Sequence, residues 1–137
     1  MGVIIFQPSW PKEKPIHTES PGYDHITATI TDRSENVCSL RFDDYLYEVD
    51  VRYFDNTEEN ENLAGQWIAS EKRILLSNTM GLDIDTVAHE VAHTVQTLMR
   101  MPEITDPHYG PYIQGRLTRC IWEIVQEDMQ PRFRFAD

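Results

Sequence analysis

The run His89-Glu90-Val91-Ala92-His93 sets two imidazoles four positions apart with a carboxylate between them. On a helix, positions i and i+4 lie about 40° apart around the axis and one turn along it. Two such rings project side by side and converge on one ion at about 2.0–2.1 Å, the nitrogen distance of zinc. Glu90 points too far round to join them as a ligand and is placed to handle a zinc-activated water. The chemistry this spacing suggests is metal-assisted hydrolysis of a peptide bond.

A catalytic zinc needs a third protein ligand and one open position. His108 is the first candidate, in the loop Thr105-Asp106-Pro107-His108-Tyr109-Gly110-Pro111, where two prolines stiffen the backbone and Gly110 allows a sharp turn. Glu123 is the rival and would make the set two His and one Glu. Asp85 or Asp106 could orient a ligand imidazole, and Tyr109, Tyr112 and Arg116 are candidates to stabilise an oxyanion. His17 and His25 carry no metal spacing and read as ordinary polar residues.

These residues need elements to hold them. Apolar Ile84, Val87, Val91, Val95 and Leu98 predict a helix starting at Asp83 or Asp85 and ending near Met99, ahead of Pro102. Both histidines fall on the side opposite that stripe. A second helix is expected from Pro111 or Tyr112 to Gln126, with Ile113, Leu117, Cys120, Ile121 and Ile124 at core spacing and residues 128–137 as a tail. Alternation predicts strands over 26–31, 37–42 and 47–53, and the segments 65–69 and 73–77 suit a hairpin. The acidic stretch 55–62 reads as a solvated connection. The fold class expected is α+β, a small antiparallel sheet packed on the histidine-bearing helix and a second, C-terminal helix.

Four of the eight prolines lie at positions 8, 11, 15 and 21. Residues 1–24 are therefore expected to form an extended arm, available to a protein partner, and residues 25–137 a single domain. With 23 acidic and 12 basic side chains the net charge is -11, which disfavours nucleic acid and anionic membranes. The apolar run Val3-Ile4-Ile5-Phe6 is too short for a signal peptide or a membrane span, so a cytoplasmic location is expected. Cys38 and Cys120 show no metal or disulfide-scaffold spacing and read as two buried thiols.

Taken in order, Leu63-Ala64-Gly65-Gln66-Trp67, Arg73-Ile74-Leu75-Leu76-Ser77, Val87-Ala88-His89-Glu90-Val91-Ala92-His93 and His108-Tyr109-Gly110-Pro111 resemble the core of SprT-like zinc metalloproteases, the group that includes the Spartan proteases. The resemblance spans about half the chain, from Leu63 to Trp122. It implies a zincin-like domain with one catalytic Zn2+, ligands at His89, His93 and His108, and a catalytic base at Glu90. Nothing resembles that family's C-terminal zinc ribbon or its basic DNA-binding segments. The function expected is a zinc metalloendopeptidase acting on polypeptide. The alternative is a non-catalytic structural or assembly protein that keeps the zinc-binding core.

Overall fold

The computed structural model describes residues 23–136, with side chains as far as Gln130. The expected arm lies outside the described residues except for its last two positions.

Period-two alternation builds the first part of the sheet. Strands β1 (Thr27–Asp32), β2 (Val37–Phe42) and β3 (Tyr45–Phe54) form an antiparallel meander. Along β3, Tyr47, Val49 and Val51 are buried while Leu46 and Glu48 face out. The turns between these strands use Asn36 and Asp43 at φ of 57° and 53°. That left-handed region costs Asn and Asp less than other side chains.

The expected hairpin is present: β4 (Gly65–Ile68) and β5 (Arg73–Ser77) pair antiparallel from Gly65 opposite Leu76 to Ile68 opposite Arg73. The sheet as a whole is mixed, which corrects the antiparallel expectation. Its order is β1-β2-β3-β5-β4, and β5 runs parallel to β3. Burial explains the arrangement. Ile74 and Leu76 of β5 are fully buried, which suits a strand with neighbours on both sides, whereas β4 has Gly65 buried, Gln66 exposed and Trp67 half-buried, which suits an edge. The acidic segment makes the crossover that a parallel pair requires. Within it Glu58–Asn60 form one 3-10 turn. Asn56 pins it by donating to the carbonyls of Asn60 at 2.7 Å and Leu63 at 2.9 Å, and by accepting from the hydroxyls of Ser77 and Thr79.

Helix α1 (Ile84–Leu98) begins where expected. Asp83 is the cap, its carboxylate accepting from the Thr86 amide at 2.7 Å. Val87, Val91 and Leu98 are fully buried, but Ile84, counted in the same stripe, is 47% exposed in the first turn. Helix α2 (Tyr109–Ala136) is longer than expected, and residues 128–136, read as part of a tail, continue it. Its extension past Gln126 is held from the β1–β2 turn: Arg33 donates to Glu127 and Asp128 at 2.6 Å each, and Asn36 and Tyr53 also donate to Asp128.

Both helices cover the same face of the sheet, α2 over β1 and β2 and α1 over β4 and β5, and they pack on each other. The core between the layers contains Leu40, Phe42, Val49, Val51, Ile74, Leu76, Val87, Val91, Leu117 and Ile121. Cys38 and Cys120 are indeed buried free thiols, with their sulfurs 2.6 Å apart across the β2–α2 contact. Among the described residues no helix is long and apolar enough to cross a membrane.

Candidate metal centre

The valine stripe of α1 faces the sheet, so His89 and His93 emerge on the opposite, exposed side. Their Nε2 atoms lie 3.2 Å apart, with the ring planes inclined at 76°. Two nitrogens bound to one tetrahedral zinc at the usual distance are about 3.3 Å apart. The pair thus presents one edge of such a tetrahedron.

Glu90 sits between them and is 5% exposed. Burial pushes its carboxyl above the usual carboxylate range, while the two neighbouring imidazoles pull the other way. The strand above makes room for it. A methyl group at Gly65 would stand 3.0 Å from both Cγ and Oε2 of Glu90 and 3.1 Å from Cγ2 of Thr86. A side chain on this residue of β4 would crowd the carboxylate.

A cleft runs along the seam between β4 and α1, in two lobes that share Gly65, His89 and Glu90. One, of about 390 Å³, continues past His93 to Gln96 and Arg100 and is walled by Trp67, whose indole N–H donates to the Thr97 hydroxyl at 2.9 Å. The other, of about 400 Å³, is flanked by Leu63, Ala64 and Thr86, with Asp85 at its margin. His89 and Glu90 therefore stand at the junction of an elongated groove.

The remaining expected site residues lie elsewhere. His108 is exposed in the loop before α2; its Nδ1 is 3.1 Å from Asp106 Oδ1, and its backbone amide donates to the same oxygen at 2.9 Å. The carboxylate is drawn below its usual range, first by that amide and then by the Tyr23 hydroxyl. Asp106 is thus the carboxylate that meets a candidate ligand imidazole, as the sequence allowed; Asp85 meets the cleft instead. Glu123 is exposed on α2, and its charge acts on the Cys38–Cys120 pair. Among the described residues no three His, Cys, Asp or Glu side chains are close enough together to hold a metal ion. The structure brings His89 and His93 together and joins neither His108 nor Glu123 to them.

None of the three oxyanion candidates lines the cleft. The Tyr109 hydroxyl donates to Asp43 at 3.0 Å, Tyr112 stacks on Tyr23 at 4.4 Å between ring centroids, and Arg116 donates to the Tyr23 carbonyl at 3.3 Å. His25 is 3.1 Å from Asp43 in the same cluster. Gln96, Thr97 and Arg100 went unremarked in the sequence. Gln96 follows His89 by seven positions, so the helical period does put it on that face, whereas Arg100 lies in the turn beyond Leu98, where the period no longer applies. Comparison with family models, curated proteins and solved structures finds no match to this chain.

Proposed function

We propose that the chain is a zinc-dependent metallopeptidase of SprT-like type. In this reading His89 and His93 would hold the ion through Nε2, His108, which the structure does not join to them, would be the third ligand, and Glu90 would be the general base. The observation that carries it is the His89–His93 nitrogen pair, spaced as a tetrahedral edge, beside a buried glutamate at the centre of an open groove. When bound, zinc supplies Lewis-acid polarisation of a peptide carbonyl and makes a water acidic enough to deprotonate near neutral pH.

The chain's own residues do the rest. Glu90 receives the water's proton on its carboxylate and returns it to the leaving amine nitrogen. His108 is supported as a ligand by Asp106. With Nδ1–H donating to that carboxylate, the lone pair of Nε2 is left free, the arrangement that metal-binding imidazoles use. The edge strand β4 offers unpaired backbone groups to an extended polypeptide.

The test combines elemental analysis with peptide hydrolysis. Wild-type protein is expected to bind one zinc and cleave. Glu90→Gln should keep the zinc and lose cleavage by roughly a thousandfold or more. His108→Ala should lose stoichiometric zinc; retention would return the third position to Glu123. A Glu90→Gln protein with full activity would end the base assignment. Stoichiometric zinc with no peptide cleavage by the wild type would favour the structural or assembly role.

A further inference from the structure

Resting on the metallopeptidase reading, we infer that Arg100 is the specificity-determining residue of the groove and binds a carboxylate side chain of the substrate about three residues from the scissile bond. Four observations converge on it. Arg100 is exposed and lines the same lobe as His89, Glu90 and His93. It stands in the turn two residues past the end of α1, seven positions after His93, beyond the end of the line that His89, His93 and Gln96 make along the helix. It has no carboxylate within ion-pair distance among the described residues; Arg33, Arg52 and Arg73 are held by Asp or Glu, and Arg41, Arg116 and Arg119, which also lack a carboxylate there, do not line the cleft. The lobe's other charged group, Glu90, is buried, so the charge this lobe presents to solvent is positive.

That local sign opposes the sign of the whole chain, whose net charge is -11. At physiological ionic strength, charges more than about 8 Å away are largely screened. A side chain lying in the groove therefore responds to Arg100 more than to the distant acidic surface. The planar guanidinium matches a carboxylate in two parallel hydrogen bonds, and the Gln96 amide beside it can add a third donor. Arg100 follows His93 by seven residues, five of them in α1 and two in the turn beyond it, a span of about 10 Å at the helical rise. An extended polypeptide covers that distance in about three residues. The other lobe has the opposite character, with Leu63, Ala64 and Asp85. The groove is thus polarised from end to end and sets the direction in which a substrate with one acidic flank lies.

The experiment uses zinc-loaded protein and a peptide set in which Glu, Gln or Lys is placed in turn at each position flanking one cleavable bond. The readout is kcat and KM by mass spectrometry. Wild type is expected to favour Glu over Gln by about fivefold, the size of one exposed ion pair, at a position about three residues from the bond on one side only. In Arg100→Ala the Glu/Gln ratio should fall to near one through KM, and Arg100→Glu should turn the preference to Lys. Cleavage without an acidic preference, or a preference unchanged in Arg100→Ala, would overturn the assignment of Arg100 and leave the peptidase reading standing. Failure of the zinc-loaded wild type to cleave any peptide would instead overturn the peptidase reading, and this inference with it.

Discussion

Gly65 is the residue on which the position of the Glu90 carboxylate depends. A Cβ there would press first on Cγ and Oε2 of Glu90 and on Cγ2 of Thr86, from the β4 side. Gly65→Ala is therefore expected to keep zinc stoichiometry and to lower kcat by roughly tenfold to a hundredfold, because small displacements of a reacting group are costly. Unchanged kcat would show that the carboxylate has room to shift. At this scale the sequence was most readable where spacing alone decides geometry. The i, i+4 histidines meet because a helix brings them together whatever surrounds it, and Asp106 meets His108 because they are two residues apart. Gly65 was legible as part of a strand and not as the roof over Glu90, since nothing in the order of residues says which strand lies above the helix. Arg100 was hidden for a related reason: an arginine's worth depends on whether a carboxylate is nearby, and most partners of this chain's arginines are distant in sequence.

Among the elements, α2 departs most from expectation, and Asp128 accounts for it. This carboxylate accepts from Arg33, Asn36 and Tyr53, three donors that come from the first half of the chain. Asp128→Ala should cost about 2 kcal/mol in urea denaturation, from lost charge-assisted hydrogen bonds and an under-paired Arg33, and should release the β1–β2 turn in amide exchange. Asp128→Asn should recover part of the loss, and an Asp128→Ala protein as stable as wild type would mean that packing by Met129 suffices. The apolar periodicity of α2 fades after Val125, so the pattern that located the helix could not carry it further; long-range polar contacts do. The strand order was similarly out of reach. Periodicity identified β3, β4 and β5 but not that β5 would slide in beside β3. That choice follows from which strand of the hairpin has the more apolar surface to bury.

For the whole molecule, the Cys38–Cys120 contact reports on how firmly the two layers close. Both thiols are buried, and their mutual hydrogen bond pushes Cys38 far above the usual thiol range, as burial also does, while it draws Cys120 below that range. A thiol reagent must reach the sulfur as well as meet it as thiolate, and both sulfurs are enclosed in the core, so neither cysteine should react with such a reagent in native buffer. Both should become reactive together across the denaturant midpoint. Labelling of either at the rate of a free thiol under native conditions would mean that α2 lifts from the sheet while the rest stays folded. The sheet itself consists of two antiparallel pieces, the β1–β3 meander and the β4–β5 hairpin, stitched by the single parallel seam between β3 and β5. Every residue lining the two lobes of the groove falls between Leu63 and Arg100, on one side of that stitch. The groove's walls are thus one uninterrupted hairpin-and-helix cassette. Mutations can accumulate in the meander without redrawing the groove, provided that the seam still closes.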